Sequence, residues 1–298
     1  MMRAVLSDYD TGPLAGRTEM PLMTKLNFGC GTRIAAGWTN VDFHSSDRRV
    51  QRVNLLAGLP FPANYFDAVY SSHVLEHFTL EQAISLLREA LRVLKPGGVI
   101  RIVVPDLEAT VQEYQRVLDL PETDLDKPKL YQWIKIELLD QLVRSSPGGA
   151  MRQFIRRVVA EDDTHMLTYI RSRTESAGWY STQETSCQSF FQKLLLVSRE
   201  KLSTRLVYCY LASIKQLIPR HLRDMVISGS TVGERHRWMY DRYGLMLLMR
   251  EEGFADISFP LFDESIIPGF AEDLLDSNID GSPYKNISIY CEAKKVLK

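Results

Sequence analysis

Short apolar runs alternate with longer amphipathic stretches through the first third of the chain. Lys25-Leu-Asn-Phe28 is a compact apolar run that breaks at Gly29-Cys30-Gly31. Trp38-Thr-Asn-Val-Asp-Phe43 predicts a second strand ending on an acid, and Val50 to Leu55 a third. Phe66-Asp-Ala-Val-Tyr70 predicts a fourth, after the turn residues Pro60, Pro62 and Asn64. Thr79 and Gln82 have the spacing of a capping box, in which hydroxyl and amide each satisfy a free backbone N–H. Ala83, Ile84, Leu87, Leu91 and Leu94 then recur at helical spacing, and Pro96-Gly97-Gly98 is expected to stop that helix. Val99-Ile-Arg-Ile-Val-Val104 is β-branched and reads as a central strand, apolar on both faces.

Strands alternating with helices imply an α/β fold, a mostly parallel sheet with helices on both faces. In such sheets ligands bind beyond the carboxyl ends of the strands, near the switch in strand order. Gly29 to Gly31, Asp42, Asn54-Leu55 and Ser71-Ser72-His73 each follow an expected strand, so polar breaks converge on one rim. The alternation stops between Leu120 and Glu234. Tyr131–Val143, Met151–Val159 and a stretch from Ser189 to Ile218 are expected to be helical. The pattern resumes with a helix from Asp241 to Glu252, closed by Gly253, and two strands, Asp256–Phe259 and Asn286–Ala293, placed to form an antiparallel edge hairpin. The expected organisation is therefore a tail (1–23), a core (24–119 and 235–298) and a helical insertion (120–234).

Composition narrows the class only modestly. Of 298 residues 45% are apolar and 24% charged, enough for a substantial core. A net charge of −1 gives no general attraction to nucleic acid or acidic membrane, and no nucleic-acid partner is expected. Four scattered cysteines lack CxxC or zinc spacing and suit free thiols in a reducing cytoplasm. No apolar run reaches the ~20 residues needed to span a bilayer, and the first residues lack a secretory h-region.

The chemistry concentrates at the rim. Glycines at a strand-end turn let a ligand approach the backbone, whose N–H groups can hold an anionic group. The Asp42 carboxylate can accept both hydroxyls of a ribose. These two features do not separate a nicotinamide site from an adenosylmethionine site. A series of five motifs is more specific. Leu26-Asn-Phe-Gly-Cys-Gly31, Gly37-Trp-Thr-Asn-Val-Asp42, Leu59-Pro-Phe-Pro62, Phe66-Asp-Ala-Val-Tyr-Ser-Ser-His-Val-Leu-Glu-His77 and Leu91-Arg-Val-Leu-Lys-Pro-Gly-Gly98 occur in order. This succession resembles the methyltransferase type 11 group of class I S-adenosylmethionine-dependent methyltransferases. The segment from His236 to Phe254 is similar, more loosely, to methyltransferases of sugar and cell-surface polysaccharide pathways.

The resemblance implies a Rossmann-like class I methyltransferase sheet and S-adenosyl-L-methionine as cofactor. Carried over by position, Phe28, Gly29, Cys30 and Gly31 line the methionine end, and Asp42 takes the ribose. Asn54 and Leu55 flank the adenine, and Ser72 and His73 lie near the sulfonium and the acceptor. Two departures stand out. Only about ten residues separate the glycine turn from the second strand, so the first helix is expected to be a stub. Asn54 occupies a position where the family often has an acid; its carbonyl accepts from an adenine amino group more weakly than a carboxylate.

His73 is the first candidate base for an alcohol acceptor and Asp106, just past the fifth strand, the second; His236 and His165 are weaker candidates. His73, Glu76 and His77 would share a helix face able to hold a divalent metal, but structural hydrogen bonds are the favoured reading and no metal is assigned. From Ser189 to Asp224 seven Lys or Arg oppose two acids among aromatic and leucine residues. This is either a basic face for peripheral contact with a membrane or lipid-linked acceptor, or a helix pair packed on the core, the blander and favoured alternative. The expected function is O-methylation of a sugar or glycan. The alternatives are methylation of a small natural product or quinone-like acceptor, and a binding module that has lost the chemistry.

Overall fold

The computed structural model describes residues 23–174, 210 and 235–297. The expected tail, Met23 apart, and the basic stretch from Ser189 to Asp224, Tyr210 apart, lie outside the described residues. Seven strands form one sheet: β1 (Lys25–Phe28), β2 (Trp38–Asp42), β3 (Val50–Arg52), β4 (Phe66–Ser72), β5 (Leu94–Pro105), β6 (Phe254–Ser258) and β7 (Ser288–Lys295). Their order is β3-β2-β1-β4-β5-β7-β6. The first five are parallel, while β7 runs antiparallel to both β5 and β6. This is the mostly parallel α/β sheet with an antiparallel edge hairpin that the alternation predicts.

One face packs on α1 (Leu80–Val93) and on the later helix α6 (Arg242–Glu251). The Thr79 hydroxyl accepts the Gln82 N–H and the Gln82 carbonyl accepts the Thr79 N–H, completing the capping box. The buried stripe of α1 is Ala83, Leu86, Leu87, Ala90 and Val93, rotated from the expected one; Ile84 and Leu91 sit at its edge. The helix ends at Val93, before the Pro-Gly-Gly stop, because Leu94 turns extended and starts β5 beside Phe66. Leu26 and Phe28 reach this core fully buried, each removing apolar surface worth roughly 1.5–3 kcal/mol.

The opposite face differs from expectation. Among the described residues, the β6–β7 connection rather than an α-helix covers it, pressing Ile267, Phe270 and Leu275 onto Trp38, Ala68, Tyr70 and Val103. Arg101, in a strand expected to be apolar on both faces, lies fully buried here. It pairs with Asp276 at 2.6 Å and Glu292 at 2.9 Å. Its guanidinium also donates to the carbonyls of Leu261, Phe262 and Glu264, fastening the connection to the sheet.

No helix of any length joins β1 to β2. The loop 29–37 is held by two buried asparagines: Asn27 donates to the Asn40 side chain (2.9 Å) and the Arg33 carbonyl (2.8 Å). Asn40 in turn donates to Ala35 and Trp38 carbonyls. Side-chain amides thus satisfy backbone groups that a helix would satisfy internally.

Beyond β5, α2 (Leu107–Leu118), α3 (Lys127–Val143), α4 (Gly149–Ala160) and α5 (Thr164–Arg173) build a separate apolar cluster around Trp133, Ile134, Phe154, Ile155 and Ile170. Among the described residues, no helix is long and apolar enough to cross a membrane.

Candidate functional site

The strand order reverses between β1 and β4, and the candidate residues lie beyond the carboxyl ends of these strands and their neighbours. Gly29 follows β1 with φ +66°. A Cβ there would collide with the Val74 side chain, so glycine is required for the turn to sit against the end of β4. Gly31 (φ +51°) faces open space, and nothing lies within 4 Å of where its Cβ would be.

The amides of this turn are engaged within the protein. Gly29 and Cys30 donate to the Val41 carbonyl at 2.8 and 3.2 Å, and Gly31 to Asp42 Oδ2 at 2.8 Å. The expectation that they hold an anionic ligand group is corrected accordingly. With no first helix, the chain folds straight back on β2, and β2 takes the donors. Asp42 is half-buried; its other oxygen accepts the His44 N–H at 3.1 Å. A carboxylate offers about four lone-pair sites, so two acceptor positions stay available to a diol. The Cys30 thiol is pushed up to about 11 by burial and the Asp42 charge, and stays protonated at neutral pH. Phe28 points its ring into the core, so only its backbone borders the site.

Val53 donates to the Asp42 carbonyl at 2.9 Å, which brings Asn54 beside the second strand's end. Asn54 caps a 3-10 turn (Leu55–Ala57), accepting the Leu56 N–H, and Leu55 is buried in the core. The strand expected through Leu55 therefore stops at Arg52. Asn54 lines a cavity of about 300 Å³ whose wall contains none of Gly29, Gly31 and Asp42.

At the end of β4 the Ser71 and Ser72 hydroxyls are buried and have no hydrogen-bond partner among the described residues. His73 takes a left-handed conformation (φ +53°), rare for a non-glycine residue and costly unless its surroundings enforce it. Its N–H donates to the Val103 carbonyl and its Nε2 lies 2.9 Å from Ser288 Oγ. Burial, then the charges of Lys285, His236 and His77, hold His73 well below the usual imidazole range.

His73 borders a second cavity of about 430 Å³, between the sheet's carboxyl edge and the helices beyond β5. Glu137, Arg173 and Lys285 are among its other walls. Glu137 accepts from Arg173 and Trp133, each at 2.8 Å. Sequence reasoning missed Arg173, because α5 carries no clear apolar period, and Lys285, which sits in an irregular segment. Asp106 is not in this wall: its carboxylate caps α2 by accepting the Ala109 N–H at 3.0 Å. The geometry makes it a helix cap rather than a second base candidate. His165 sits exposed on α5, paired with Asp126, and is likewise absent from the wall.

Residues 26–102 match a family described as a methyltransferase domain. No curated protein matches the chain. Among solved structures, the [4+2]-cyclase SpnF is 27% identical over 27% of this chain and 38% of its own, with a TM-score of 0.24. The YcgJ protein of Bacillus subtilis is 21% identical over 37% of this chain and 59% of its own, with a TM-score of 0.23. A SAM-dependent methyltransferase of Methanosarcina mazei is 12% identical over 93% of each chain, with a TM-score of 0.38. The chain spans less than two thirds of the length of the first two. The family match covers residues 26–102, the segment that supplies β1 to β4, α1 and most of β5.

Proposed function

We propose that the chain is an S-adenosylmethionine-dependent methyltransferase that modifies a hydroxyl of a sugar or glycan. The observation that carries this reading is that, at the switch in strand order, the Gly29–Gly31 turn bonds to Asp42 and packs against Val74, the residue after His73. The residues fit the cofactor. Gly31 faces open space, Asp42 keeps acceptor capacity for a ribose diol, and Ser72 and His73 stand at the end of β4, the strand beside β1. S-adenosylmethionine supplies a methyl group already activated on a sulfonium, so the protein's task is alignment and exclusion of water.

The larger cavity provides an acceptor pocket. Glu137, Gln141, Arg173 and Asn286 offer donors and acceptors suited to a polyol, which favours a sugar over a quinone-like ring. His73 is the base in this reading: burial keeps its imidazole unprotonated, and Nε2 would exchange Ser288 Oγ for the acceptor hydroxyl and take its proton as the methyl group arrives. The helices α3 to α5 then serve as the acceptor-side wall of the pocket.

Isothermal titration with S-adenosylmethionine is expected to give saturable one-to-one binding, and folded protein that binds none sinks the proposal. Mass spectrometry of nucleotide-sugar and glycan pools incubated with enzyme and cofactor is expected to find a product one methyl group heavier. His73→Ala is expected to lower turnover by roughly 10²–10⁴-fold, the usual scale for a general base, with little change in cofactor affinity. Turnover equal to the unmodified protein would move the base elsewhere.

A further inference from the structure

We propose that Glu76, His77 and His236 form a binding site for a divalent cation of the zinc type. Glu76 is 1% exposed, and neither carboxylate oxygen has a hydrogen-bond partner among the described residues; its near neighbours are the imidazoles of His73, with Nδ1 3.4 Å from Oε1, and His77. An ionised carboxylate buried without partners costs several kcal/mol, so such a group points to a ligand that compensates it. The Tyr240 hydroxyl, also buried and unpartnered, shares this pocket of unsatisfied polarity.

The two imidazoles are arranged to complete the set. His77 Nδ1 lies 3.2 Å from the Arg235 carbonyl. That acceptor requires the proton on Nδ1 and leaves the Nε2 lone pair free, 3.9 Å from Glu76 Oε1. A ligand histidine fixed through its other nitrogen by a backbone carbonyl is the usual supporting arrangement at metal sites. The His77 and His236 rings lie 5.1 Å apart at 70°, and one ligand atom from each of the three residues falls within 4.8 Å of the others. Zinc bonds of about 2.0–2.2 Å in a tetrahedron separate ligand atoms by roughly 3.4 Å, so small side-chain rotations close the site.

The backbone brings these residues together from distant parts of the chain. Glu76 and His77 lie in the 3-10 turn (Leu75–His77) after β4. The Glu76 carbonyl accepts the Arg237 N–H at 2.6 Å and the Trp238 N–H at 3.3 Å, and His236 N–H donates to Gln141. The segment carrying His236 is thus pinned on both sides. Two nitrogens and one carboxylate oxygen suit zinc or cobalt and suit magnesium poorly. Three protein ligands leave a fourth position, and because His236 also borders the larger cavity, an oxygen held there can take it.

The test needs neither cofactor nor acceptor, so it stands or falls apart from the methyltransferase reading. Tag-free, full-length protein is stripped with chelator and titrated with zinc against a chromogenic indicator, then with cobalt by visible absorption. The expected result is one equivalent of zinc and cobalt bands of tetrahedral intensity. His236→Ala and Glu76→Gln are expected to lose affinity by at least ~10-fold, with the fold checked by circular dichroism, while His165→Ala leaves it unchanged. Folded unmodified protein that takes up less than one equivalent of zinc overturns the proposal, the outcome expected of a Glu76 that is simply protonated or hydrated. Zinc binding unchanged in folded His236→Ala, or magnesium bound in preference to zinc, overturns it equally.

Discussion

Arg101→Met is expected to destabilise the fold by about 3–5 kcal/mol, the scale for breaking a buried ion pair by removing one partner. Arg101 has no exposed surface and holds Asp276 and Glu292, themselves buried, while stacking over Phe270 at 4.8 Å and Tyr290 at 5.2 Å. Methionine fills much of the space but leaves two carboxylates in the interior with no cation. It also frees the carbonyls of Leu261, Phe262 and Glu264. Against a total stability of roughly 5–15 kcal/mol for a domain, the loss is severe. Urea denaturation measures it directly. Adding Asp276→Asn and Glu292→Gln to Arg101→Met is expected to recover part of the loss, because most of the cost is uncompensated charge. A loss under about 1 kcal/mol in the single variant would show that the connection is held by its apolar contacts instead.

The second large effect belongs to the proposed cofactor site. Asp42→Ala is expected to weaken S-adenosylmethionine binding by roughly 100-fold or more. Hydrogen bonds to a charged group contribute about 1.5–3 kcal/mol each, and 1.4 kcal/mol is a factor of ten. The variant also removes the acceptor of the Gly31 and His44 N–H groups, loosening the turn that the cofactor would approach. Asp42→Asn keeps one acceptor oxygen and is expected to fall between the two. Titration calorimetry on protein of unchanged melting temperature decides it; an affinity within threefold of the unmodified protein would place the ribose elsewhere.

Much of the sheet was legible because its signals are local. Phe28 followed by Gly29, Asp42 at the end of β2, and the Thr79–Gln82 capping box depend on neighbours a few residues away. Each sits where the periodicity puts it. The α1 stripe was misjudged by a fraction of a turn, since Leu86 and Val93 are as apolar as Ile84 and Leu91 and only packing chooses among them. Arg101 was unreadable for a different reason. Its partners lie 175 and 191 residues away, and an arginine between isoleucines has no local mark of burial. The same distance hides the pairing of Glu76 and His77 with His236: the sequence groups His73 with them by helical spacing, and the structure keeps His73 Nδ1 3.4 Å from Glu76 Oε1 but builds a 3-10 turn there and brings His236 across as well.

The glycine turn illustrates the division most clearly. By itself the sequence determined an α/β chain whose strand ends carry Gly29–Gly31, Asp42, Asn54 and Ser72-His73, because glycine conformation, strand alternation and helix caps are short-range physics. Only the tertiary structure decided what those groups are free to do. The missing first helix lets Val41 and Asp42 take the turn's amides, Asp106 is drawn into capping α2, and His73 is left facing a polar cavity walled by Arg173 and Glu137. Hydrogen-bond capacity is spent by whichever partner lies closest in space, and closeness across a folded chain is not written in spacing along it.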